Sequence, residues 1–490
     1  MPQLFVMLSF LFASVSDVYS VSPPRTTTKP PQFISIPLVK SHTSRDLHLL
    51  KTLGAAAVHA RHVSRGRRRW QAFVTRSQSL GTTEYPGPTG MLQKSGERAT
   101  WKHRHNARAS QIRKNKQEKV DSDAVSNPEA PQSDTNPGRP SDAEVTKAHT
   151  TSFPYSAPMD IEGEDIGYLA SVCFGTPLQK FLLLLDSGSA DIWVGGEQCK
   201  GDFGGSCGDH RFLGPNSSSS YRETGTSWYM NYGSGSVSGD LVNDTVKFAD
   251  FAELHDHTFG VTKTESRQFA EDEIPLDGVL GCAKQSLSMQ QTPTFITALK
   301  TAGLIAKRIW SFKISRKSDG KNDGEVTVGA MDPSKFVPLS LVCVPNVNDA
   351  GFWEAKLDEL TVNGQDVKLG NRSCIFDTGT SLFIAPKLDV DAIHKSIPGA
   401  KFDNSSKAWT VPCNTTTSVE LVIGGRAFPI QPKDLAFGPV DNTPGTCMSA
   451  IAEGGVSEGP THWLCGDTFL KNVYLSTNED TNQICVAFGT

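Results

Sequence analysis

The sequence predicts an all-β protein: two similar β-rich lobes with a cleft between them, behind a front segment that is partly helical and partly unstructured. Three observations carry this. The 490 residues include 43 Gly and 29 Pro, while helical patterns are few and short. From about residue 168 short apolar runs alternate with Gly, Asn and Asp turns. Finally, the pattern Asp, hydroxyl, Gly, hydroxyl closes an apolar run twice. It occurs as Asp186-Ser187-Gly188-Ser189 and as Asp377-Thr378-Gly379-Thr380, 191 residues apart.

Residues 1–20 read as a signal peptide. The apolar stretch 4–15 has the length of a leader core and is too short to span a bilayer, although no basic residue precedes it. The competing reading is a buried strand or helix of the mature protein. Residues 21–150 read as a basic prosegment and linker. Helical spacing over 47–74 places Leu49, Leu50, Leu53, Ala56, Ala57 and Ala60 on or near one face. Arg65-Gly66-Arg67-Arg68-Arg69 lies inside it and offers a site for a basic-specific maturing protease. Residues 77–150 are polar, charged and rich in Ser, Pro and Asn, as in a disordered linker.

Charge separates this front from the body. The first 150 residues carry a balance of +11 and the remainder −15, within a net charge of −4. A basic segment ahead of an acidic body fits a prosegment held over a cleft by charge. A disordered tail or a nucleic-acid-binding arm are the alternatives, and a secretory leader argues against nucleic acid. No later stretch has the roughly 18 apolar residues of a membrane helix, and the last residues show neither a lipid-anchor tail nor a retention signal. The ten Cys match no zinc spacing, so no metal or other cofactor is expected and disulfides are the default. Five Asn-X-Ser/Thr sequons (Asn216, Asn243, Asn371, Asn404 and Asn414) fall in the acidic body and suit a secretory route.

The body divides into a first lobe, 151–330, and a second, 331–490. Strands are expected at 168–172, 181–185, 192–194, 241–248, 325–328, 352–360 and 421–423, and helices at 294–302 and 389–396. The lobes repeat weakly. Val279-Leu280-Gly281 ends 95 residues after Asp186, and Leu464-Cys465-Gly466 ends 89 after Asp377.

Each part of the paired motif has a physical use. Gly188 and Gly379 let the backbone turn sharply beside a carboxylate. Ser187 and Thr378 can hydrogen-bond between the two loops, and Ser189 and Thr380 can donate to the outer carboxylate oxygens. Two carboxyls sharing one cleft cannot both ionise easily, so one keeps a proton over a wide acidic range. The charged member then takes a proton from a water between them, while the protonated member polarises a scissile carbonyl. No metal, serine or cysteine nucleophile is needed.

From about residue 168 to the end, the chain resembles the pepsin-like aspartic proteases, the family of pepsin, cathepsin D and the plasmepsins. The resemblance rests on Phe174-Gly175-Thr176-Pro177, the first motif with Ile192-Trp193-Val194, Tyr232-Gly233-Ser234-Gly235, Asp277-Gly278-Val279-Leu280-Gly281, the second motif with Ser381, and the stretch 463–467. It implies a bilobal fold, a zymogen and two catalytic aspartates, Asp186 and Asp377. It further implies a flap tyrosine, Tyr232, on a hairpin made pliable by Gly233 and Gly235. Trp193 would buttress that tyrosine, and Val279 would line the pocket on the N-terminal side of the cut. The small disulfides Cys199–Cys207 and Cys413–Cys447 follow from the resemblance. Cys173, Cys282, Cys343, Cys374, Cys465 and Cys485 are left open, with Cys374 and Cys465 either paired or buried thiols. Ala190 stands where the family usually has Ser, which removes a hydroxyl near Asp186. Asn478 stands where an Asp is common, a change expected to shift the second aspartate's titration.

The function this implies is an aspartic endopeptidase, synthesised as a proenzyme, that cuts between bulky apolar residues in acid. Its partners would be polypeptide substrates and its own prosegment. It would act as a monomer with no membrane span, secreted or in an acidic organelle of the secretory route. The alternative is a catalytically impaired relative that binds peptides or inhibits a protease.

Overall fold

The computed structural model describes residues 145–490, apart from 203, 233–234, 273, 441–442 and 455–460. The signal peptide, most of the prosegment, Arg65 to Arg69, and Gly233 and Ser234 of the flap lie outside the described residues.

The described residues fold into β-sheets with a few short helices, so the all-β, two-lobed expectation holds. The first lobe is built on one nine-stranded sheet. Its strands are β1 (Val145–Thr146), β3 (Asp160–Glu162), β4 (Gly167–Phe174), β5 (Gln179–Asp186), β6 (Ile192–Gly201), β7 (Arg222–Asn231), β8 (Ser236–Phe248), β9 (Leu254–Glu265) and β10 (Gly278–Gly281). They run in the order β1-β3-β4-β5-β10-β6-β9-β8-β7, and β4 also pairs with β8 so that the sheet folds over on itself. Strand β5 lies centrally, which is why its sequence is a continuous apolar run and not an alternating one.

The second lobe holds a five-stranded and two four-stranded sheets. The five-stranded sheet runs Glu354–Leu357, Arg372–Phe376, His462–Cys465, Phe383–Ala385, Ile451–Glu453. A six-stranded sheet draws on both ends of the body. It takes β2 (Ser156–Pro158) with Ile309–Lys313, Glu325–Val328, Val342–Pro345, Val473–Asn478 and Gln483–Phe488. A lobe boundary at residue 330 therefore falls inside a shared sheet.

The sequence repeat is also a topological repeat. In the first lobe β10 runs parallel to β5, with Gly281 opposite Asp186, and antiparallel to β6. In the second, His462–Cys465 runs parallel to Arg372–Phe376 and antiparallel to Phe383–Ala385. Each motif therefore emerges at one end of a buried parallel pair.

Two expectations need correction. The run 352–360 is two strands, not one. Glu354–Leu357 joins the five-stranded sheet and Glu359–Val362 a four-stranded sheet. The break is Asp358, whose N–H donates to Val422 O at 2.8 Å. The linker reading also runs too far, because residues 145–149 are bonded to the body. Strand β1 pairs with β3, Lys147 Nζ meets Asp160 Oδ2 at 2.9 Å, and the His149 N–H donates to Asn322 O at 2.9 Å. Polar composition hid this, because two residues add a strand only where a ready edge awaits them. The two expected helices are present as Phe295–Thr301 and Lys387–Lys395.

Candidate active site

The ends of the two buried strands bring the motif loops together. The Ser187 N–H donates to Thr378 Oγ1 at 3.0 Å, and the Thr378 N–H donates to Ser187 Oγ at 3.0 Å. Each hydroxyl also donates inward across the junction, Ser187 Oγ to Phe376 O at 2.9 Å and Thr378 Oγ1 to Leu185 O at 2.8 Å. All four bonds are buried, and every polar atom of the crossing is paired.

Around each carboxyl the geometry repeats. Asp186 Oδ1 accepts the Gly188 N–H at 2.9 Å and Oδ2 accepts Ser189 Oγ at 2.7 Å. Asp377 Oδ1 accepts the Gly379 N–H at 2.9 Å and Oδ2 accepts Thr380 Oγ1 at 2.7 Å. A β-carbon on Gly188 would stand 2.6 Å from Asp377 Oδ1, so the second carboxyl lies directly against the first loop. Glycine is required there by close approach and not by backbone twist. Behind each loop, the Cys282 N–H donates to Asp186 O at 2.8 Å and the Asp377 N–H donates to Cys465 O at 3.1 Å.

Tyr232 follows β7 and is buried. Its hydroxyl accepts the Trp193 indole N–H at 2.7 Å. The ring of Phe269, in the short helix Arg267–Ala270, meets both Trp193 and Tyr232 edge-on, at centroid distances of 5.4 and 5.5 Å. At the base of the hairpin that joins β7 to β8, the Ser236 N–H donates to Ser266 Oγ at 3.0 Å, and the Ser266 N–H returns to Ser236 O at 2.8 Å. Gly235 packs so closely on Ser266 Oγ that no side chain fits. Val279, Tyr232 and Phe269 line a cleft that reaches Gly379 of the second motif. Its further walls are Ile166, Leu184, Ile274 and Leu276, with Glu162 and Gln268 as the polar members.

Ala190 packs with Ala283 and Leu287 in a small apolar cluster that Phe352 covers. Apolar contact thus takes the place of a hydroxyl. Asn478 lies in the six-stranded sheet, not in the sheet that carries Asp377. Its Oδ1 accepts the Asp480 N–H at 2.9 Å and caps a hairpin turn.

Four disulfides are formed: Cys199–Cys207, Cys343–Cys485, Cys374–Cys465 and Cys413–Cys447. Cys173 and Cys282 belong to none of these pairs. Burial pushes the Cys282 thiol well up, and the nearby Asp186 carboxylate pushes the same way, which suits packing and not nucleophilic chemistry. Among the described residues the one cluster of metal-ligand type is Cys199, Cys207 and Glu265. Its two sulfurs are bonded to each other, leaving a single carboxyl for any ion.

The family model of eukaryotic aspartyl proteases matches residues 167–488. The chain belongs to the eukaryotic aspartyl protease family. It is 37% identical over 341 residues to a probable aspartic-type endopeptidase of Arthroderma benhamiae, covering 69% of this chain and 64% of that protein. It is 34% identical over 340 residues to an aspartic-type endopeptidase of Aspergillus fumigatus, covering 69% of each. With rhizopuspepsin of Rhizopus chinensis it shares 32% over 337 residues, covering 68% of this chain and 81% of that enzyme. The chain thus spans somewhat under two thirds of the Arthroderma relative.

Sequence reasoning missed Phe269, Glu162 and Gln268. Each sits on or beside an element of three or four residues, where no periodicity exists to flag it.

Proposed function

We propose that this aspartyl protease family member is an active aspartic endopeptidase. The observation that carries the reading is the reciprocal crossing of the two loops, with the Asp377 carboxyl against Gly188. It supports a pair of carboxyls held rigidly in one site with matched donors. Asp186 and Asp377 share one proton between them. The ionised member draws a proton from a water in the cleft as that water attacks the peptide carbonyl, and the protonated member donates to the carbonyl oxygen. On collapse of the tetrahedral intermediate the C–N bond breaks, the aspartate that took the water's proton gives it to the leaving nitrogen, and the other aspartate takes back the proton it gave to the carbonyl oxygen. Ser189 and Thr380 hold the outer oxygens, so the inner ones face substrate. Tyr232, braced by Trp193, closes over the bound peptide and excludes water. The apolar walls favour bulky apolar residues on the N-terminal side of the cut.

The basic front segment is the proenzyme's own occupant of this acidic cleft, behind a leader at 1–20. The enzyme works in an acidic compartment of the secretory route or outside the cell. The test is turnover of a quenched peptide with adjacent bulky apolar residues, followed across acidic pH with and without pepstatin. Turnover is expected in the processed wild type and a loss of at least about 10⁴-fold in Asp377→Asn. Absence of turnover by processed wild type at every pH would sink the reading in favour of a peptide-binding relative.

A further inference from the structure

We propose, resting on the endopeptidase reading above, that Trp353 is a positioning residue that sets the spacing of the two aspartates by holding both motif loops from behind. Trp353 stands just ahead of the strand Glu354–Leu357 and is fully buried. Its indole N–H donates to Cys282 O at 3.0 Å. Its own carbonyl accepts the N–H of Phe376, the residue before Asp377, at 2.9 Å. Cys282 passes the contact on. Its N–H donates to Asp186 O at 2.8 Å, and the next N–H, of Ala283, donates to Ser189 O at 2.8 Å. One side chain of the second lobe thus supports the first loop while its backbone supports the second.

The segment that carries Trp353 is itself held firmly. Asn348 Oδ1 accepts the N–H groups of Ala350, Gly351 and Phe352 at 2.9, 3.0 and 3.1 Å. Asn346 Oδ1 accepts the Glu354 N–H at 2.8 Å, and Asn348 Nδ2 donates to Glu354 Oε2 at 2.7 Å. Both asparagines are buried, where water competes little for these bonds. A second bond makes the same crossing, from the Lys284 N–H to Gly351 O at 3.0 Å. Gly351 has a φ of +120°, and a β-carbon there would stand 2.6 Å from Ser286 Oγ, so the approach needs glycine. Phe352 packs on Ala190, Ala283 and Leu287 on one side and on the cluster of Ile375 on the other. Residues 346–353 therefore form a bracket behind both loops, separate from the crossing of Ser187 and Thr378.

Spacing has a kinetic signature. Two carboxyls that share a proton titrate as a pair, and their repulsion holds the two apparent pKa values apart. Repulsion falls with distance, so a looser bracket brings the values together and narrows the pH range of the singly protonated pair. The charged groups on the bracket and the segment it meets are Glu354, paired with His462, and Lys284, whose Nζ donates to Asn482 Oδ1 at 2.8 Å. Trp353→Phe changes none of these charges.

The experiment follows kcat and KM at half-unit pH steps for processed wild type, Trp353→Phe, Asn348→Ala and Trp310→Phe, on a quenched peptide with an apolar pair at the cut. Trp353→Phe keeps a ring in the core and removes the N–H donor. Asn348→Ala loosens the same bracket without touching a ring, and serves if the first variant fails to fold. Trp310 is equally buried in the strand Ile309–Lys313, and its indole N–H meets no acceptor among the described residues. Its Phe variant therefore controls for lost ring volume. Trp353→Phe is expected to lower kcat about tenfold, less than the hundredfold of a full 1 Å displacement, with KM within about twofold. Both limbs of the bell of kcat/KM against pH should move inward in Trp353→Phe and Asn348→Ala. Trp310→Phe should keep the wild-type limbs and a kcat within about twofold. Wild-type limbs in either bracket variant overturn the proposal, whatever happens to kcat. The same narrowing in Trp310→Phe overturns it as well. If wild type cuts the peptide at no pH, the endopeptidase reading itself fails, a different result from cutting with unmoved limbs.

Discussion

Ser187 and Thr378 each use one hydroxyl twice. Each Oγ accepts the opposing loop's N–H and donates to a carbonyl of the opposing strand. Removing one hydroxyl at this buried junction strands a backbone N–H and a carbonyl together. Either orphan costs about 1–3 kcal/mol. Ser187→Ala and Thr378→Val are therefore each expected to lower stability by about 2–4 kcal/mol, read as a shift of the urea midpoint. The turnover number should fall with them, because a displacement of about 1 Å at a reacting group costs about a hundredfold. The double variant should lose less than the sum, since the two hydroxyls serve one crossing. Additive losses would mean that the loops are held independently.

At the scale of elements, the second motif depends on a tie outside the cleft. Asp389, in the first turn of the helix Lys387–Lys395, is buried and accepts Arg372 Nε at 2.7 Å and Nη2 at 2.9 Å. It also accepts the Trp463 indole N–H at 2.8 Å. Arg372 opens the strand that runs to Phe376, and Trp463 sits on its parallel neighbour, so one carboxylate pins both strands behind Asp377. Asp389→Ala leaves the mostly buried Arg372 unpaired and should cost about 3–5 kcal/mol. Adding Arg372→Met should recover part of that by removing the orphaned charge, which denaturant titration of the two variants would show. No recovery would mean that helix packing, not charge pairing, carries the loss. Of this, the sequence showed the helix and the strand ends but not the tie. Asp186 and Asp377 were legible because a Gly and hydroxyls recur at fixed offsets beside each carboxylate, where the hydroxyls donate and the Gly at 188 leaves room for the opposing carboxyl. Trp193 and Tyr232 were legible only through a resemblance. Phe269 and Glu162 take their place from tertiary contact alone, and Val145–Thr146 became a strand because the edge of β3 stood open to it.

For the whole molecule, two buried groups in the first lobe pull pH stability in opposite directions. Glu265 lies at the end of β9, opposite Val237 next to the flap base, with Thr262 Oγ1 donating to its Oε1 at 2.7 Å. Burial pushes its carboxyl up to about 7, and the Asp277 carboxylate pushes the same way. Its neutral form suits the fold, so its contribution is complete below the ordinary Glu value near 4.5 and is lost as pH rises to about 7. His257 packs against Phe259 and Phe295, and burial pulls its imidazole down to about 4. Its contribution is complete above the ordinary His value of 6.5 and is lost as pH falls to about 4. Each shift is worth about 3 kcal/mol at about 1.4 kcal/mol per pH unit. Between about pH 4.5 and 6.5 the slopes of these two groups oppose each other and nearly cancel. Single variants should expose them. Glu265→Gln should gain stability relative to wild type as pH rises from 4.5 to 7, and His257→Phe should gain relative to wild type as pH falls from 6.5 to 4. Taking differences from wild type removes the groups that titrate alike in both, and any packing change adds only a constant offset. Urea midpoints at half-unit pH steps, with disulfides intact, would measure both slopes. Parallel curves for wild type and both variants would show that neither group titrates inside the fold in this range.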